Sequence, residues 1–252
     1  MNDLFERIAP VQPSRETMAE GAVLLRGAAL PFEKHLPAAL AGIAAISPFR
    51  RMVIPGGYTM SVAMTNCGAA GWITDRTGYR YGRIDPQTGQ PWPPMPGCFL
   101  ELAVAAATEA GYPQFRPDAC LVNRYEPGAR LSLHQDKNER DLAHPIVSVS
   151  LGLPATFQFG GLKRNDPVRK FALKHGDIAV LGRSVASVLS RSRRAEGRRS
   201  RNLRTHAHQP DLSRRALETG FSDQSSAAWL CARFARDAVP CRPRRRRRAN
   251  DP

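Results

Sequence analysis

The sequence predicts an α+β protein in which helices come first and a run of short strands follows. Apolar residues recur at helical spacing in two segments of the first half, and after Pro117 they alternate with polar residues. Helices followed by consecutive strands are typical of an α+β chain built on a β-sandwich or barrel. A chain of 252 residues can bury one sizeable core of this kind.

Two segments of the first half have the pattern of amphipathic helices. Segment 31–49 carries apolar residues at i, i+4 and i+7, and Pro48 ends the pattern. Segment 98–112 repeats it and stops at Gly111, a residue typical of a helix C-terminus. The apolar positions of the first segment are Leu36, Leu40 and Ile43.

Short strands are predicted over most of the chain between Pro117 and residue 182. Apolar and polar residues alternate there, and Pro127-Gly128 marks a turn. The predicted strands cover residues 120–125, 131–136, 146–152, 156–161, 168–173 and 177–182. The Gly- and Pro-rich stretch 53–97, between the two helices, predicts hairpins and loops.

Composition and cysteine usage argue against several classes of protein. The N-terminus has no apolar stretch of the secretory type, and no segment has the roughly 20 apolar residues of a membrane span. The five cysteines form no C-x-x-C pair, which argues against a zinc site and favours reduced thiols in the cytoplasm. They are Cys67, Cys98, Cys120, Cys231 and Cys241.

The positive charge is concentrated in one segment. Of the formal net charge of +15, residues 182–252 contribute +12, with 18 Arg, no Lys and 6 acidic residues. This segment has no sustained hydrophobic period and contains the run RPRRRRR at 242–248. Two interpretations are open: a disordered Arg-rich tail that binds nucleic acid, or translation in the wrong frame from GC-rich DNA.

A candidate metal-binding motif lies on one predicted strand. His134 and Asp136 form an H-x-D, and residues i and i+2 of a strand project to the same face, where they can bind one ion. Non-haem Fe(II) oxygenases hold iron with two histidines and one carboxylate on one face. The same spacing recurs in His175-Gly176-Asp177, so the motif alone is a weak signal.

The surroundings of the first H-x-D resemble the AlkB family of Fe(II)/2-oxoglutarate dioxygenases. The string NRYEPGARLSLHQDKNE (123–139) is similar to the family's N-x-Y, Pro-Gly turn and H-x-D-x-x-E signature. Further similar strings are PGGYTMSVAMTNCG (55–68), GW followed by Tyr79 and Tyr81, IDPQTGQPWPPMP (84–96) and IVSVSLGLPATFQFGGLKR (146–164). The second H-x-D matches the family's turn before a later strand, so we expect it to be structural.

This resemblance implies a double-stranded β-helix, or jelly roll, preceded by a nucleotide-recognition lid. It divides the chain into an N-terminal helical segment (1–50), the lid (51–97), a truncated jelly-roll core (98–181) and an aberrant tail (182–252). It also implies that the N-methyl group of 1-methyladenine or 3-methylcytosine in single-stranded DNA or RNA is hydroxylated and leaves as formaldehyde. We expect a monomer that acts on alkylated nucleic acid, with no membrane partner.

The resemblance further implies the ligands and the residues that bind them. Fe(II), 2-oxoglutarate and O2 are expected, with the iron held by His134 and Asp136. The expected 2-oxoglutarate-binding residues are Asn123, Arg124 and Tyr125. The expected substrate-binding residues are Met64, Trp72, Tyr79, Arg80, Tyr81, Asn138 and Arg164. Because relatives carry Asp at the position of Asn138, we expect a changed base preference without loss of activity.

Several of these residues also have a purely structural explanation. Trp72 can cap a hydrophobic cluster instead of stacking on a base, Met64 can pack in the core, and Arg164 can be a solvated surface charge. Asn123 and Tyr125 share one face of a strand. A buried Asn needs hydrogen-bond partners, which favours a functional role for this pair.

The C-terminal half of the expected site is missing from the sequence. The family needs a second His ligand and a closing strand R-x-N-L-T-F-R, whose arginines hold the carboxylates of 2-oxoglutarate. The position of the His falls on Ser190, and the two arginine positions fall on Ala207 and Ser213. None of these side chains can replace an imidazole or a guanidinium.

The genetic code supports the wrong-frame interpretation. With suitable synonymous codons, residues 181–192 read one base later give Trp-Gly-Gly-Pro-Ser-Arg-Leu-Phe-Tyr-His-Gly, with the His at position 190. The same shift of residues 207–215 gives Arg-Ile-Asn-Leu-Thr-Phe-Arg, with arginines at positions 207 and 213. Two family motifs in the right register from one shift indicate a frameshift near residue 181.

Three functional hypotheses remain at this stage. The first is a dioxygenase by descent that retains little iron and has negligible turnover. The second is a non-enzymatic remnant that binds nucleic acid through the Arg-rich tail. The third is an oxygenase acting on proteins or small molecules, which Trp72 and Tyr79 argue against. A truncated jelly roll is also expected to leave a sheet edge unpaired.

Overall fold

The fold is seen in a computed structural model, which describes residues 13–126, 128, 129, 131, 144–160 and 166–182, and the backbone of 190–194 and 227–233. The helices are α1 (Leu36–Ile46) and α2 (Gly97–Glu109), with a short 3-10 turn at Leu30–Phe32. The strands are β1 (Ser14–Ala19), β2 (Ala22–Arg26), β3 (Ala63–Gly68), β4 (Gly71–Asp75), β5 (Gly78–Gly82), β6 (Ala119–Tyr125), β7 (Ile146–Gly152), β8 (Ala155–Phe159), β9 (Arg169–Leu173), β10 (Ile178–Leu181), β11 (Ser190–Arg194) and β12 (Ala227–Arg233).

The strands form two larger sheets and a hairpin. The major sheet has seven strands in the order β1-β2-β10-β7-β12-β6-β3, and the minor sheet has the order β11-β8-β9. Strands β4 and β5 pair with each other and are called the lid hairpin below. All of these pairings are antiparallel, so the predicted β-sandwich is confirmed.

The major sheet buries apolar residues on both faces, because successive residues of a strand point to opposite sides. In β10, Ile178 and Val180 pack with the helices, on what is called the helix face below. Their neighbours Ala179 and Leu181 pack on the opposite, interior face, in one cluster with Phe171 of the minor sheet. The space between the two sheets is therefore a second core, and the candidate site borders it.

Both predicted helices are confirmed, and they cover the helix face. The buried residues of α1 are Leu36, Leu40 and Ile43, as the spacing predicted. Helix α2 ends where Gly111 takes a φ of +99°. The N–H of Gly111 donates to the carbonyl of Thr108 at 3.0 Å, and that of Tyr112 to the carbonyl of Ala107 at 2.8 Å. These two bonds are a Schellman motif, which explains why a glycine ends the helix.

The structure departs from the expected division of the chain in two places. Segment 1–50 is not only helical, because its strands β1 and β2 join the major sheet. The stretch 51–97, which was expected to form the lid, also contains β3, and β3 forms an edge of the major sheet. Five of the six strands predicted after Pro117 are present, and the sixth, 131–136, lies outside the described residues except for Leu131.

The tail contributes to the fold, contrary to expectation. Strand β11 pairs with β8, and β12 lies between β6 and β7 in the major sheet. The expected unpaired edge at this position is therefore wrong, and the major sheet ends instead at β1 and β3. Segments 183–189, 195–226 and 234–252 lie outside the described residues.

The second H-x-D motif is structural, as expected. The carboxylate of Asp177 accepts hydrogen bonds from Arg26 Nη1 at 2.8 Å and from the main-chain N–H of Gly27 at 3.0 Å. His175 Nδ1 accepts a hydrogen bond from the main-chain N–H of Gly152 at 2.9 Å. Asp177 thus binds the end of β2, and His175 binds the end of β7, so both side chains hold the turn before β10 against these two strands.

Two further expectations concern thiols and membranes. Among the described residues, Cys67, Cys98 and Cys120 are free thiols. Burial raises the pKa of Cys98, so this thiol stays protonated near neutral pH. No helix in the described part of the chain has both the length and the apolar composition needed to cross a membrane.

Candidate active site

The interior face of β6 carries two of the predicted co-substrate residues. Asn123 and Tyr125 are both buried there, because they are two residues apart on one strand. Met64 of β3 is the register partner of Asn123 and is buried in the same cluster. The carboxamide oxygen of Asn123 has no hydrogen-bond partner among the described residues. A buried polar atom without a partner is costly, so this end of β6 fits a polar ligand.

Ser150 is a second buried polar residue near this position and was not among the predicted site residues. Its hydroxyl also has no hydrogen-bond partner within the described ranges. Position 229 of β12 is the register partner of both Asn123 and Ser150, so the two residues flank the same point of the major sheet. The available signal was the pair Ser148 and Ser150, two polar residues at a spacing of two in the otherwise apolar strand β7.

Arg124 does not join its two neighbours on the interior face. It points to the other side of β6, where its guanidinium lies 4.8 Å from the ring centroid of Phe49. Its Nη2 is 3.8 Å from Glu126 Oε1, a distance typical of a weak surface ion pair. The period of two along the strand explains why Asn123 and Tyr125 are brought together and Arg124 is not.

The lid hairpin presents an aromatic surface. Trp72 and Tyr81 are register partners on β4 and β5, and the rings of Trp72 and Tyr79 stack with centroids 5.7 Å apart at 27°. Trp72 is partly buried and packs against the interior cluster, whereas Tyr79 is exposed. The Trp72 ring therefore borders the core, as the structural explanation predicted, and also belongs to an aromatic surface. Stacking of Trp72 on a base stays a prediction.

Thr74, the next residue on this surface, is buried, and its hydroxyl has no hydrogen-bond partner in the described part of the chain. It is the register partner of Tyr79. A threonine in a strand is common and carries no signal of function, so nothing in the sequence pointed to Thr74.

Arg80 lies on the opposite side of the hairpin from these aromatic rings. Its Nη2 contacts Asp75 Oδ2 at 2.5 Å, and its Nη1 donates to Thr77 Oγ1 at 3.2 Å. The hydrogen bond from Arg80, with a smaller contribution from Thr77, holds the pKa of Asp75 well below its usual range. Arg80 therefore stabilises the tip of the hairpin, and the structure does not bring it to the aromatic surface.

Trp92 fixes the base of the lid hairpin. Its Nε1–H donates to the carbonyl of Gly82 at 2.7 Å, and a Cβ at Gly71 would lie 2.4 Å from its Cε2 atom. Gly71 and Gly82 are register partners, so one indole holds both strands where the hairpin begins. Only glycine at position 71 allows so close an approach.

A buried carboxylate holds the neighbouring loop. Asp85 is fully buried and forms an ion pair with Arg50 at 2.8 Å. It accepts hydrogen bonds from Ser47 Oγ at 2.5 Å and from the N–H of Gln87 at 2.9 Å. Burial alone would raise the pKa of Asp85, but the hydrogen bonds from Ser47, Gln87 and Arg50 together lower it. The guanidinium of Arg50 also lies over the ring of Trp92, at 5.1 Å from its centroid.

The predicted metal ligands are not among the described residues. His134 and Asp136 lie outside the described residues, as do Asn138 and Arg164. Among the residues that are described, no three His, Cys, Asp or Glu side chains form a group that could hold a metal ion.

Comparison with known proteins decides the family. Residues 21–188 match the model of the 2OG-Fe(II) oxygenase superfamily. The chain is 62% identical over 182 residues to the alpha-ketoglutarate-dependent dioxygenase AlkB of Escherichia coli, an alignment that covers 72% of this chain and 83% of that protein. The chain belongs to the AlkB family. This AlkB-family chain is thus an alpha-ketoglutarate-dependent dioxygenase by descent, and its family implies Fe(II), 2-oxoglutarate and O2.

Two further similarities concern the fold and the wider family. The structure of OsALKBH1 matches this AlkB-family chain with a TM-score of 0.68 at 22% identity, covering 88% of this chain and all of that one. This likeness confirms the jelly-roll type of fold. The nucleic acid dioxygenase ALKBH1 of Mus musculus is 32% identical over 111 residues, which are 44% of this chain and 28% of that protein.

Proposed function

We propose that this protein recognises N-alkylated bases, of the 1-methyladenine or 3-methylcytosine type, in single-stranded nucleic acid. The observation that supports this most is the position of the Trp72–Tyr79 stack, which adjoins the interior cluster containing Met64 and Tyr125. A base turned out of its strand is held by stacking on aromatic rings and by polar contacts at its edge. Trp72, Tyr79 and Tyr81 offer the rings, and the hydroxyl of Thr74 offers an unpaired polar group beside them.

We assign the co-substrate 2-oxoglutarate to the interior face near Asn123. The Ser150 hydroxyl can donate to a carboxylate, and the Asn123 carboxamide carries both a donor and an acceptor. Of their unpaired buried atoms, the Ser150 hydroxyl fits a carboxylate of 2-oxoglutarate directly. The unpaired Oδ1 of Asn123 only accepts, so Asn123 would bind the co-substrate through the N–H group of its carboxamide. By family resemblance the iron would be held by His134 and Asp136. When bound, Fe(II) with 2-oxoglutarate and O2 supplies the oxidation of the methyl group.

The residues of the chain would position the base and exclude water from the site. Stacking on Trp72 would orient the base so that its methyl group faces the interior, and the apolar surroundings of Met64 would exclude solvent. One oxygen atom of O2 is added to the N-methyl carbon, while the other enters succinate as 2-oxoglutarate loses CO2. The N–CH2OH group then releases formaldehyde, and the nitrogen of the base recovers its proton or lone pair.

We further propose that this particular chain binds substrate but has negligible turnover. The position of the second metal-binding His is Ser190, which begins β11 on the minor sheet, and a hydroxyl does not replace an imidazole as an iron ligand. The strand between β6 and β7 is β12, whose sequence AAWLCAR differs from the closing strand R-x-N-L-T-F-R that the family needs. The two positions expected to be arginines are Ala207 and Ser213. The wrong reading frame after residue 181 explains both losses together.

A matched pair of proteins tests these proposals. The first is this chain. The second is a frame-restored chain, in which deletion of one base near codon 181 makes the downstream sequence read one base later. Formaldehyde release from single-stranded DNA with one 1-methyladenine is measured with Fe(II), 2-oxoglutarate and air. We expect release by the frame-restored chain and none above background by this chain. Turnover by this chain would refute its proposed inactivity, and no release by either would refute the dealkylation itself.

The alternative is a non-enzymatic protein that binds nucleic acid through its Arg-rich tail, and the charge of +12 on residues 182–252 favours it. Truncation at residue 181 is a poor test, because it would also remove β11 and β12 from the two sheets. Deleting residues 234–252 leaves both strands in place. If this shorter chain binds unmodified and methylated DNA as the full chain does, the last 19 residues, with seven of the tail's 18 arginines, are not the binding element. For both functions, the free thiols of Cys67, Cys98 and Cys120 support a cytoplasmic location, and the dioxygenase adds the need for reduced iron.

A further inference from the structure

Asn66 makes an unusual connection between the major sheet and the lid hairpin. It lies on β3 with 1% of its surface exposed. Its Oδ1 accepts the main-chain N–H of Trp72 at 2.9 Å, and its Nδ2 donates to the main-chain carbonyl of Trp72 at 3.1 Å. One carboxamide therefore satisfies both polar groups of a single residue, as a neighbouring strand would.

The lid hairpin depends on such contacts because it has only two strands. An isolated two-stranded hairpin is marginally stable in water, so its orientation is set by whatever holds it to the rest of the protein. Trp92 holds the base of the hairpin at Gly71 and Gly82. Asn66 holds the opposite edge of β4, at the residue whose ring forms the aromatic stack.

We infer that Asn66 is a positioning residue for recognition of the base: by holding the main chain of Trp72, it sets the orientation of the Trp72 ring against Tyr79. The inference rests on the proposed function, since it assumes that this stack receives the base. Asn66 contacts neither the base nor the co-substrate in this arrangement. It acts through Trp72 alone.

The side chain at position 66 has few alternatives. A carboxamide offers a donor and an acceptor in one plane, and both are used here. Asp has the same shape, but it lacks the donor and places a negative charge against the carbonyl of Trp72. Ser is too short to reach both main-chain groups. Asn66→Asp therefore removes the hydrogen bond to the carbonyl of Trp72 and replaces it with repulsion between two oxygen atoms. The volume of the side chain hardly changes.

Binding is measured by fluorescence anisotropy without metal, so that activity does not enter the result. The probes are a labelled single-stranded oligonucleotide with one 1-methyladenine and the same oligonucleotide without methylation. We expect Asn66→Asp to weaken binding of the methylated probe by about tenfold, the effect of losing one to two hydrogen bonds, and to leave the unmodified probe unchanged. Unchanged binding of the methylated probe would overturn the inference.

A double-mutant cycle separates positioning from a general structural role. If Asn66 acts through Trp72, then Asn66→Asp in a Trp72→Ala background should cause no further loss of affinity. Equal losses in both backgrounds would mean that the two residues act independently, which contradicts the inference. Gln114→Glu is the control, because it makes the same change of charge at an exposed carboxamide.

A second readout does not require nucleic acid. In protein labelled with 15N at tryptophan, Asn66→Asp should shift and broaden the indole resonance of Trp72 and leave that of Trp92 in place. If Asn66→Asp fails to fold, Asn66→Ser removes the same contacts without a charge and is used instead. Should the unaltered chain not prefer the methylated probe, the proposed function fails, while the indole resonances still test Asn66. A Trp72 resonance that neither variant alters would overturn the inference.

Discussion

The two faces of the major sheet differ in whether certain buried polar groups have hydrogen-bond partners. On the helix face, Thr65 donates to the carbonyl of Ser47 at 2.7 Å, and Ser47 donates to Asp85 at 2.5 Å. On the interior face, Asn123 Oδ1 and Ser150 Oγ are buried without a partner among the described residues. The sheet therefore pairs these polar groups where it packs on the helices, whereas Asn123 and Ser150 are left available where a ligand is proposed to bind. Asn66, also on the interior face, is paired with the main chain of Trp72. Stability and function are divided between the faces.

The largest effect is expected from Asp85→Asn, in the network that links Ser47 at the end of α1 to Arg50. This change leaves Arg50 as a largely buried charge without its partner, which typically costs about 3–5 kcal/mol of unfolding free energy. Chemical denaturation at pH 7 measures it. A loss below about 1 kcal/mol would show that the network adds little, and the contrast between the two faces would fail there.

The same pair predicts a pH dependence. Because the folded-state pKa of Asp85 is lowered, its contribution to stability is present above the unfolded pKa of about 3.9 and is lost as pH falls through the folded pKa. The stability difference between the unaltered chain and Asp85→Asn should therefore be largest at neutral pH and shrink below about pH 4. A difference that stays constant from pH 7 to pH 3 would contradict this assignment.

The next largest effect is expected from the apolar packing of the helix face. Leu102 of α2 is 2% exposed, and Leu102→Ala should cost about 2–5 kcal/mol through lost burial and a cavity. Because the helix face does not border the proposed site, binding of the methylated oligonucleotide should stay unchanged at temperatures where the variant is folded. Thermal unfolding and anisotropy together test this. A selective loss of binding would mean that the faces are not independent.

On the interior face, removing a polar group should increase the free energy of unfolding instead of lowering it. Ser150→Ala removes a buried hydroxyl that has no partner within the described ranges, so stability should rise by about 1 kcal/mol. In the frame-restored chain, the same change should weaken binding of 2-oxoglutarate, which calorimetry measures with Mn(II) in place of iron. A loss of stability would show that the hydroxyl is satisfied in solution. It would also remove the contrast between the faces at this position.

The smallest effect on stability is expected from deleting residues 234–252, which follow the last strand. This segment contains seven arginines, so its loss should reduce the salt dependence of binding to unmodified single-stranded DNA. Unfolding free energy should change by less than about 0.5 kcal/mol, as for most surface changes. A large destabilisation would mean that this segment supports one of the two faces.

Periodicity predicted the elements of the fold well, but not their partners. The helices at 36–46 and 97–109 and the strands β6 to β10 appear where the hydrophobic period indicated. The prediction failed for β1 and β2, whose sequence lies in a segment interpreted from its helix alone. It also failed for β12, because the Arg-rich composition of the tail concealed seven residues that can pair as a strand. Strand pairing depends on distant parts of the chain, which local patterns do not contain.

The site residues were predicted from family motifs along the sequence. The structure places some of them on the candidate site and others on different surfaces. Arg80 and Arg124 were selected with their neighbours, but strand alternation places them on other surfaces. Asn66, Thr74 and Ser150 were missed, because their importance depends on what surrounds them. A hydrogen bond to a distant main chain, or the lack of any partner, has no signature in a one-dimensional pattern.

The sequence by itself determined the family, the order of helices and strands, and the loss of the C-terminal motifs, because these are properties of neighbouring residues and of the genetic code. Tertiary structure alone decided which polar groups are paired, which aromatic rings meet, and which segment closes the major sheet. Those outcomes depend on contacts between residues far apart in the chain. The two hydrogen bonds between Asn66 and the main chain of Trp72 join residues close in sequence. They form only because β3 and β4 are folded against each other.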